Sequence, residues 1–412
     1  MPFAIYILGL AVFAQGTSEF MLSGLVPDIA ADLNVSIPSA GALTSAFAVG
    51  MIVGAPSAAI LSLRWPRRTA LLVFLIVFML VHVLGAVTTS FGVLLATRVV
   101  GALANAGFLA VAIATATGMV AADAKGRATS VLLGGVTVAC VVGVPAGALL
   151  GQMWGWRAAF WAVALVCVPA VVAILRSVLA TGPSMGPSME PSTQPDGTAQ
   201  AGAQGERAAA GPSARRELRA LRDPRLIVTL LLGALVNGAT FCAFTYLAPL
   251  ATEVGGFGNG WVPVMLALFG LGSFTGVTVA GRMSDARPVR LLLVGGPALL
   301  AGWLLFAVAA GNPVVMVVLV FVQGTLSFAV GSTLITRVLY AAAEAPSLGG
   351  AFATAALNVG AAAGPLLGGV AIGAGLGYRS PLWVGALLVA LAFVIAGLVR
   401  AVRAERTLTT VS

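Results

Sequence analysis

The chain reads as an all-α membrane protein of twelve spanning helices arranged in two six-helix bundles, and three observations predict this. Of 412 residues, 59% are apolar and only 8% charged, against about 25% charged in soluble proteins, so a soluble surface cannot be built from it. The apolar residues fall into runs of about 20, the length that crosses the hydrocarbon core of a bilayer as a helix. Landmarks also recur. Gly155-Trp156-Arg157 with Trp161 returns as Gly377-Tyr378-Arg379 with Trp383, and the same offset of 222 residues pairs Gly16 with Gly238, Pro27 with Pro249, Pro66 with Pro288 and Arg68 with Arg290. Two similar halves in the same order form a parallel internal repeat.

In chain order the apolar runs predict spans near 3 to 26, 40 to 62, 69 to 88, 91 to 120, 129 to 151 and 158 to 179. Six more follow, near 225 to 249, 261 to 282, 289 to 309, 313 to 339, 348 to 373 and 381 to 401. Between the sets, about Thr181 to Ser213 is rich in Pro, Ser, Gly, Ala and Gln without apolar periodicity, the composition of a flexible linker. Arg215, Arg216, Glu217, Arg219 and Arg222 behind it suit a short amphipathic helix on the membrane surface or a solvated linker, and both readings stand. The expected division is a first bundle over 1–180, a cytoplasmic linker over 181–222 and a second bundle over 223–412.

A net charge of +9 does not point to nucleic acid here, because the basic residues are dispersed between apolar runs. They set orientation instead. With the N-terminus in the cytoplasm, all but Arg98, Arg157 and Arg379 of the 22 Lys and Arg residues collect on that side, so both termini and the linker are expected there. The first span lacks a basic leader and a small-residue cleavage site and is expected to stay in the mature chain. Cys140, Cys167 and Cys242 lie within apolar runs without metal or disulfide spacing. A single histidine, with no HExxH, no GxSxG and no paired intramembrane carboxylates, argues against an enzyme, and no metal or organic cofactor is expected.

Two patterns carry mechanism. Gly135, Ala139, Gly143, Gly147 and Gly151 recur every four residues, making a smooth helix face on which another backbone can press, and Pro145 bends that helix. Ala356, Gly360, Gly364 and Gly368 with Pro365 repeat the pattern. A tightly packed helix pair accounts for such a seam by itself. The second pattern is intramembrane charge: Glu19, within Gly16-Thr17-Ser18-Glu19-Phe20, and Arg98 are the clearly ionised residues inside apolar runs, where charge is costly and function is the default explanation. The first span ends near Pro27 and the fourth begins near Phe91, so a rise of about 1.5 Å per residue puts both about 10 to 12 Å below the same surface. Desolvation favours a neutral carboxyl and a nearby arginine a charged one, so the approach of Arg98 would govern whether Glu19 holds a proton. Proton coupling is one reading, and a static buried ion pair is the other. His82, in the third span, is a relay candidate or a packed side chain.

The cavity is expected between the halves near the midplane. Gln15, Thr17 and Asn105 from the first half and Asn237, Phe241, Tyr246, Gln323 and Asn358 from the second are candidate lining groups. Each alone is more often an interhelical hydrogen bond or a packing contact. Together they describe an amphipathic pocket with few charges, suited to a neutral aromatic solute.

At these residues the chain resembles the major facilitator superfamily, and within it the twelve-span drug:proton antiporters. Leu63-Arg64-Trp65-Pro66-Arg67-Arg68 is similar to the family's cytoplasmic loop motif, with Leu63 in the aspartate slot, and Gly281-Arg282-Met283-Ser284-Asp285 with Arg290 is the second copy. The resemblance implies a cytoplasmic latch among Arg64, Arg67, Arg68, Asp285 and Arg290. Arg98 to Gly101 is similar to the arginine motif of the fourth span. Gly143-Val144-Pro145-Ala146-Gly147, continued by Gly151, is similar to the antiporter motif of the fifth, which implies a bent glycine face at the interface between halves. The runs GTSEFMLSGLVPDIAADLNVSIPSAG, GVPAGALLGQMWGWRAAFW and Asn105-Ala106-Gly107-Phe108 look most like the actinobacterial, Streptomyces-type chloramphenicol-resistance exporters, and more distantly like sugar-efflux and purine-efflux permeases. This implies a monomer in a bacterial cell membrane, with the lipid bilayer and a small drug as partners and a proton gradient as the driving force. A facilitator or exporter of a small metabolite shares the fold and is the alternative.

Overall fold

The computed structural model of the protein describes residues 2–62, 65–177, 223–283, 288–342 and 349–409. Among them there is no strand, and twelve helices are long and apolar enough to cross a membrane. They are α1 Phe3–Gly24, α2 Ile37–Gly54, α3 Arg67–Val87, α4 Phe91–Gly118, α5 Lys125–Trp154, α6 Trp156–Arg176, α7 Pro224–Thr245, α8 Asn259–Met283, α9 Arg290–Ala309, α10 Pro313–Ala341, α11 Gly350–Leu376 and α12 Ser380–Ala401. Each corresponds to one predicted span, because in hydrocarbon every backbone donor must be satisfied within its own helix and the run length is dictated by the bilayer. The expected linker over 181–222, with its basic stretch, lies outside the described residues.

The repeat is visible in the packing. In the first six helices α1 lies on α5 and α6, α2 on α4, and α3 on α4 and α6. In the second six α7 lies on α11 and α12, α8 on α10, and α9 on α10 and α12. The principal contacts between the two sets are α2 with α11 and α5 with α8. These exchange under the pseudo-two-fold relation, since α8 repeats α2 and α11 repeats α5.

The contacts between halves gather at one face, the far face, where α1 ends and α2 begins. Gly41 of α2 lies beneath the Tyr246 ring at the end of α7, and Gly369 of α11 lies against Pro38. Gly24 packs on Ala148 of α5 and Leu266 of α8, and Gln152 donates to the backbone carbonyl of Asn259. Val144 and Ala148 of α5 join the apolar core of the second half. The far face is therefore closed, and the named contacts do not extend to the opposite, near face, where the chain starts.

Two far-face corners show what the repeated Gly-aromatic-Arg does. Gly155 and Gly377 turn the chain between α5 and α6 and between α11 and α12 at φ of +82° and +73°, a region open to glycine and strained for other residues. Arg157, two residues on, donates to Asp32 and to the Thr88 carbonyl at the end of α3, and its guanidinium lies 4.4 Å above the Trp156 ring. Arg379 donates to the Val308 carbonyl near the end of α9 at 3.5 Å. Both arginines cap carbonyls that a helix end leaves unpaired, which accounts for the two cations that break the orientation pattern.

Candidate functional site

The glycine seam of α5 packs against α1 of its own half. A Cβ on Gly135 would stand 2.6 Å from the Gly9 carbonyl oxygen, Gly16 faces Ala139, Gly143 meets Thr17, Gly147 meets Met21, and Gly151 meets Leu25. One seam residue thus answers each turn of α1. The α11 seam treats α7 in the same way, with Gly360 on Ala234 and Gly238 and Gly364 on Gly238. The structure corrects the expectation that this face lies between the halves. Every fourth residue marks a single stripe of the helix, and here that stripe is taken up by the neighbour within the bundle. The partner half meets the other side of α5. Pro145 has no N–H to give, and the turn before it, Ala139–Gly143, widens to π geometry. There the backbone of Cys140 and Val141 lies directly on Gly270 of α8.

Beside this contact is a narrow cleft between the halves, lined by Phe20, Cys140, Phe241, Phe244, Phe269 and Phe328 among others. Thr240 and Ser273 also line it, and their hydroxyls donate to the Val236 and Gly270 carbonyls of their own helices. Its wall is aromatic and carries no ionised side chain. Phe244 and Phe269 stack with centroids 4.6 Å apart.

On the other side of α1 a buried network forms that was not anticipated. Arg98 donates from Nη1 to Ser18 Oγ and from Nη2 to the Ser18 carbonyl, each at 2.8 Å. Ser18 Oγ lies 2.6 Å from His82 Nε2, and His82 Nδ1 lies 2.7 Å from the Phe78 carbonyl. A guanidinium only donates and a carbonyl only accepts, so Arg98 gives to Ser18 and Nδ1–H gives to Phe78; a neutral imidazole then accepts from Ser18 at Nε2. The Arg98 guanidinium also lies 4.5 Å from the Phe47 ring centroid, and its Nε has no hydrogen-bond partner.

Glu19, the next residue after Ser18, is partly buried. Among the described residues the ion pair within 4.0 Å is Arg157 with Asp32, so Glu19 and Arg98 share a depth without touching. Glu19 lies within electrostatic reach of both Arg98 and Cys140. The static ion pair of the sequence reading is thus absent in this access state, where Arg98 is held by a serine instead.

Of the other predicted lining residues, Phe241 borders the central cavity and Gln323 a second cavity inside the second half. The rest are engaged in packing or helix contacts. Thr17 donates to Phe13, Asn105 to Met51 Sδ at 3.5 Å, Asn237 to the Leu357 carbonyl, Tyr246 to the Pro365 carbonyl and Asn358 to the Thr354 carbonyl. Gln15 is 1% exposed with neither amide atom paired. Arg64 and Asp285 of the expected latch lie outside the described residues. Arg68 donates to the Leu175 carbonyl near the end of α6, Arg67 lies beside Gly118 at the end of α4, and Arg290 is exposed. Arg68 therefore caps a helix of its own half, and Arg67 lies against one.

Comparison with known proteins matches residues 8–355 to the Major Facilitator Superfamily. The chain is 57% identical over 396 residues, covering 96% of each chain, to a chloramphenicol resistance protein of Streptomyces lividans. It is 33% identical to the inner membrane transport protein YdhP of Escherichia coli, covering 94% of this chain and 93% of that one. A crystal structure of a bacterial homolog of the human lysosomal transporter Spinster, in an inward-facing and unoccupied conformation, shares the fold with a TM-score of 0.70 at 17% identity, covering 95% of this chain and 94% of that chain.

Proposed function

Because this chain belongs to the major facilitator superfamily, we propose that it is a proton-coupled exporter of chloramphenicol or a similar small, neutral, amphipathic drug, and so confers resistance. The observation that carries this reading is the aromatic cavity without ionised side chains, in a chain 57% identical to a chloramphenicol resistance protein. A phenyl-lined pocket binds an apolar ring well and gives a sugar's hydroxyls or an amino acid's charges few partners. With the basic residues setting the near face and both termini in the bacterial cytoplasm, the described state is the one open inward. The protein acts as a monomer, its six-helix bundles rocking about the cavity.

Glu19 carries the proton and Arg98 responds to it. In the inward-open state Arg98 donates to Ser18 through both terminal nitrogens, and Glu19 is the next residue along α1. Drug entering from the cytoplasm meets Glu19 as it gives its proton to that side. The resulting carboxylate attracts Arg98, and drawing the guanidinium off Ser18 loosens the α1–α3–α4 junction that the network ties. Outward opening then exposes Glu19 to the higher proton activity outside, protonation releases Arg98 to Ser18, and the drug leaves. No metal or organic group takes part.

The test is drug accumulation in cells expressing the protein, with and without a protonophore. The reading expects low accumulation that rises to the level of cells without the transporter once the gradient collapses. Accumulation indifferent to the protonophore would instead favour a facilitator of small metabolites.

A further inference from the structure

We propose that Phe20 is the side chain through which the exported drug acts on Glu19: the drug's aromatic ring takes the place of the Phe20 ring between the halves, and the turn of α1 that carries Glu19 moves with it. This deepens the drug-export reading and rests on it.

Of the phenylalanines lining the aromatic cleft, Phe241, Phe244, Phe269 and Phe328 belong to the second half and Phe20 to the first. The Phe20 ring centroid lies 5.7 Å from that of Phe241, tilted by 32°, and 6.3 Å from that of Phe244, edge-on at 73°. These are the spacings of aromatic pairs in a packed interior. Phe20 also packs on the cluster that Ala48 of α2 forms with Ala361 and Ala362 of α11. The cleft is too narrow to admit another ring beside it, so a drug ring reaches Phe241 and Phe244 only as Phe20 gives them up. In this access state the protein's own phenyl group stands where an aromatic solute would.

The position along α1 gives that exchange its consequence. Regular α-helical winding ends at Phe20, and Met21–Gly24 continue as a 3-10 turn, a change of winding that marks a hinge in many helices. Glu19 immediately precedes the ring, and Ser18, which holds Arg98, precedes Glu19. Gly24, four residues on, belongs to the far-face closure through Ala148 and Leu266. A ring driven out of the cleft therefore pulls on the proton site behind it and on the far-face contact ahead of it. The titratable and charged groups around this turn are Glu19, Arg98 of α4, His82 of α3 and Cys140 of α5. Cys167 of α6 lies in the core of the first half, α2 and α11 carry no ionisable side chain, and α8 carries Arg282 at its near end. Cys242 and Tyr246 of α7 donate to the Pro381 and Pro365 carbonyls. The step breaks the O–H bond of the Glu19 carboxyl, leaves a carboxylate within reach of Arg98 and delivers the proton to cytoplasmic water.

Purified full-length protein in weakly buffered solution near neutral pH, with an indicator dye, gives the protons released per chloramphenicol bound, and the radiolabelled drug gives Kd. Phe20→Ala removes the ring that has to be displaced, so affinity should rise about threefold or more while release per bound drug falls below about a fifth of the wild-type value. Phe328→Ala thins the wall from the second half and should weaken binding about threefold or more with wild-type release per bound drug. Opposite signs separate a plug from a wall. Thermal unfolding identifies a variant that does not fold; Phe20→Trp is the second variant, a larger plug that should weaken binding about threefold and keep the release. Folded Phe20→Ala that releases protons as the wild type does or binds more weakly, or folded Phe20→Trp with wild-type affinity, overturns the proposal. Wild-type protein that binds the drug without releasing protons overturns the proton-coupled reading, and wild-type protein that binds no chloramphenicol overturns the drug-export reading; the role of Phe20 falls with either.

Discussion

Replacing Gly270 by alanine should shift the access equilibrium while leaving each bundle folded. A Cβ at Gly270 would stand 2.8 Å from the Cys140 carbonyl carbon and 3.1 Å from Val141 Cα. Both neighbours are backbone, so no rotamer change relieves the clash. Overpacking of this kind costs about 1–3 kcal/mol. Because α5 and α8 belong to different halves, the cost falls on the far-closed state and is relieved when the halves part there. A bias of that size changes the ratio of states by about 5- to 150-fold. Spin labels at Gln152→Cys and Asn259→Cys, whose far-face positions touch through a hydrogen bond, report the two populations as short and long distances. Gly270→Ala should move weight to the long distance. Gly147→Ala adds the same methyl on the other face of α5, where its nearest neighbours would be Met21 Cβ at 3.4 Å and Ala159 Cβ at 3.9 Å, and should leave the distribution unchanged. An unaltered distribution in Gly270→Ala, or an equal shift in both, refutes the reasoning.

Within the seam, Gly143→Ala should lower the unfolding temperature of the purified protein more than Gly147→Ala, since its Cβ would press on Thr17 and stand 3.2 Å from Phe13 at a cost of about 1–3 kcal/mol; equal melting would show that the seam is looser than its geometry. Glu19→Gln should abolish uphill efflux in vesicles while drug binding persists, and retained pumping with the wild-type pH profile would remove Glu19 from the coupling step. Ser18→Ala leaves Arg98 Nη1 and His82 Nε2 unpaired and should destabilise the fold by about 1.5–3 kcal/mol in chemical unfolding, with Ser18→Thr recovering most of it. At the far face the hydrogen bond from Arg157, assisted by Trp156, holds the Asp32 carboxyl below the usual carboxylate range. The unfolded chain therefore takes up that proton at higher pH than the folded one, and the contribution is present above the ordinary carboxylate pKa of about 3.9 and lost as pH falls below it. Asp32→Asn should flatten that acid limb and cost less than about 1 kcal/mol at neutral pH, because the pair is partly exposed and screened by solvent.

The spans and the duplication were legible because the bilayer imposes a length on every helix and the repeat leaves its glycines, prolines and arginines at one offset. Glu19 and Arg98 stood out because charge is scarce in such a chain. The identity of Arg98's partner did not. Ser18 is one small hydroxyl among many, and nothing in its spacing distinguishes a serine that holds an arginine from one that bonds its own helix, as Thr17 does. The seam's spacing gave the stripe but not the neighbour, since α1 and α8 flank α5 and either could have used small residues. Gly270 was the clue to α8, visible only once both helices are placed. The cavity wall escaped for a related reason: Phe244, Phe269 and Phe328 sit among 19 phenylalanines, and lipid-facing and cavity-facing rings look alike in a run that is apolar all round.

The two far-face corners have diverged although the turns that make them have not. Arg157 is tied by a carboxylate, a carbonyl and an indole ring, and Trp156 adds a bond to the same carboxylate at 3.2 Å. Arg379 keeps one long bond to a carbonyl, and position 254, where the offset would place a second acid, is Val254. A duplicated machine with one braced corner is no longer mechanically symmetric: the hinge where α11 turns into α12 is held by fewer ties than its twin between α5 and α6.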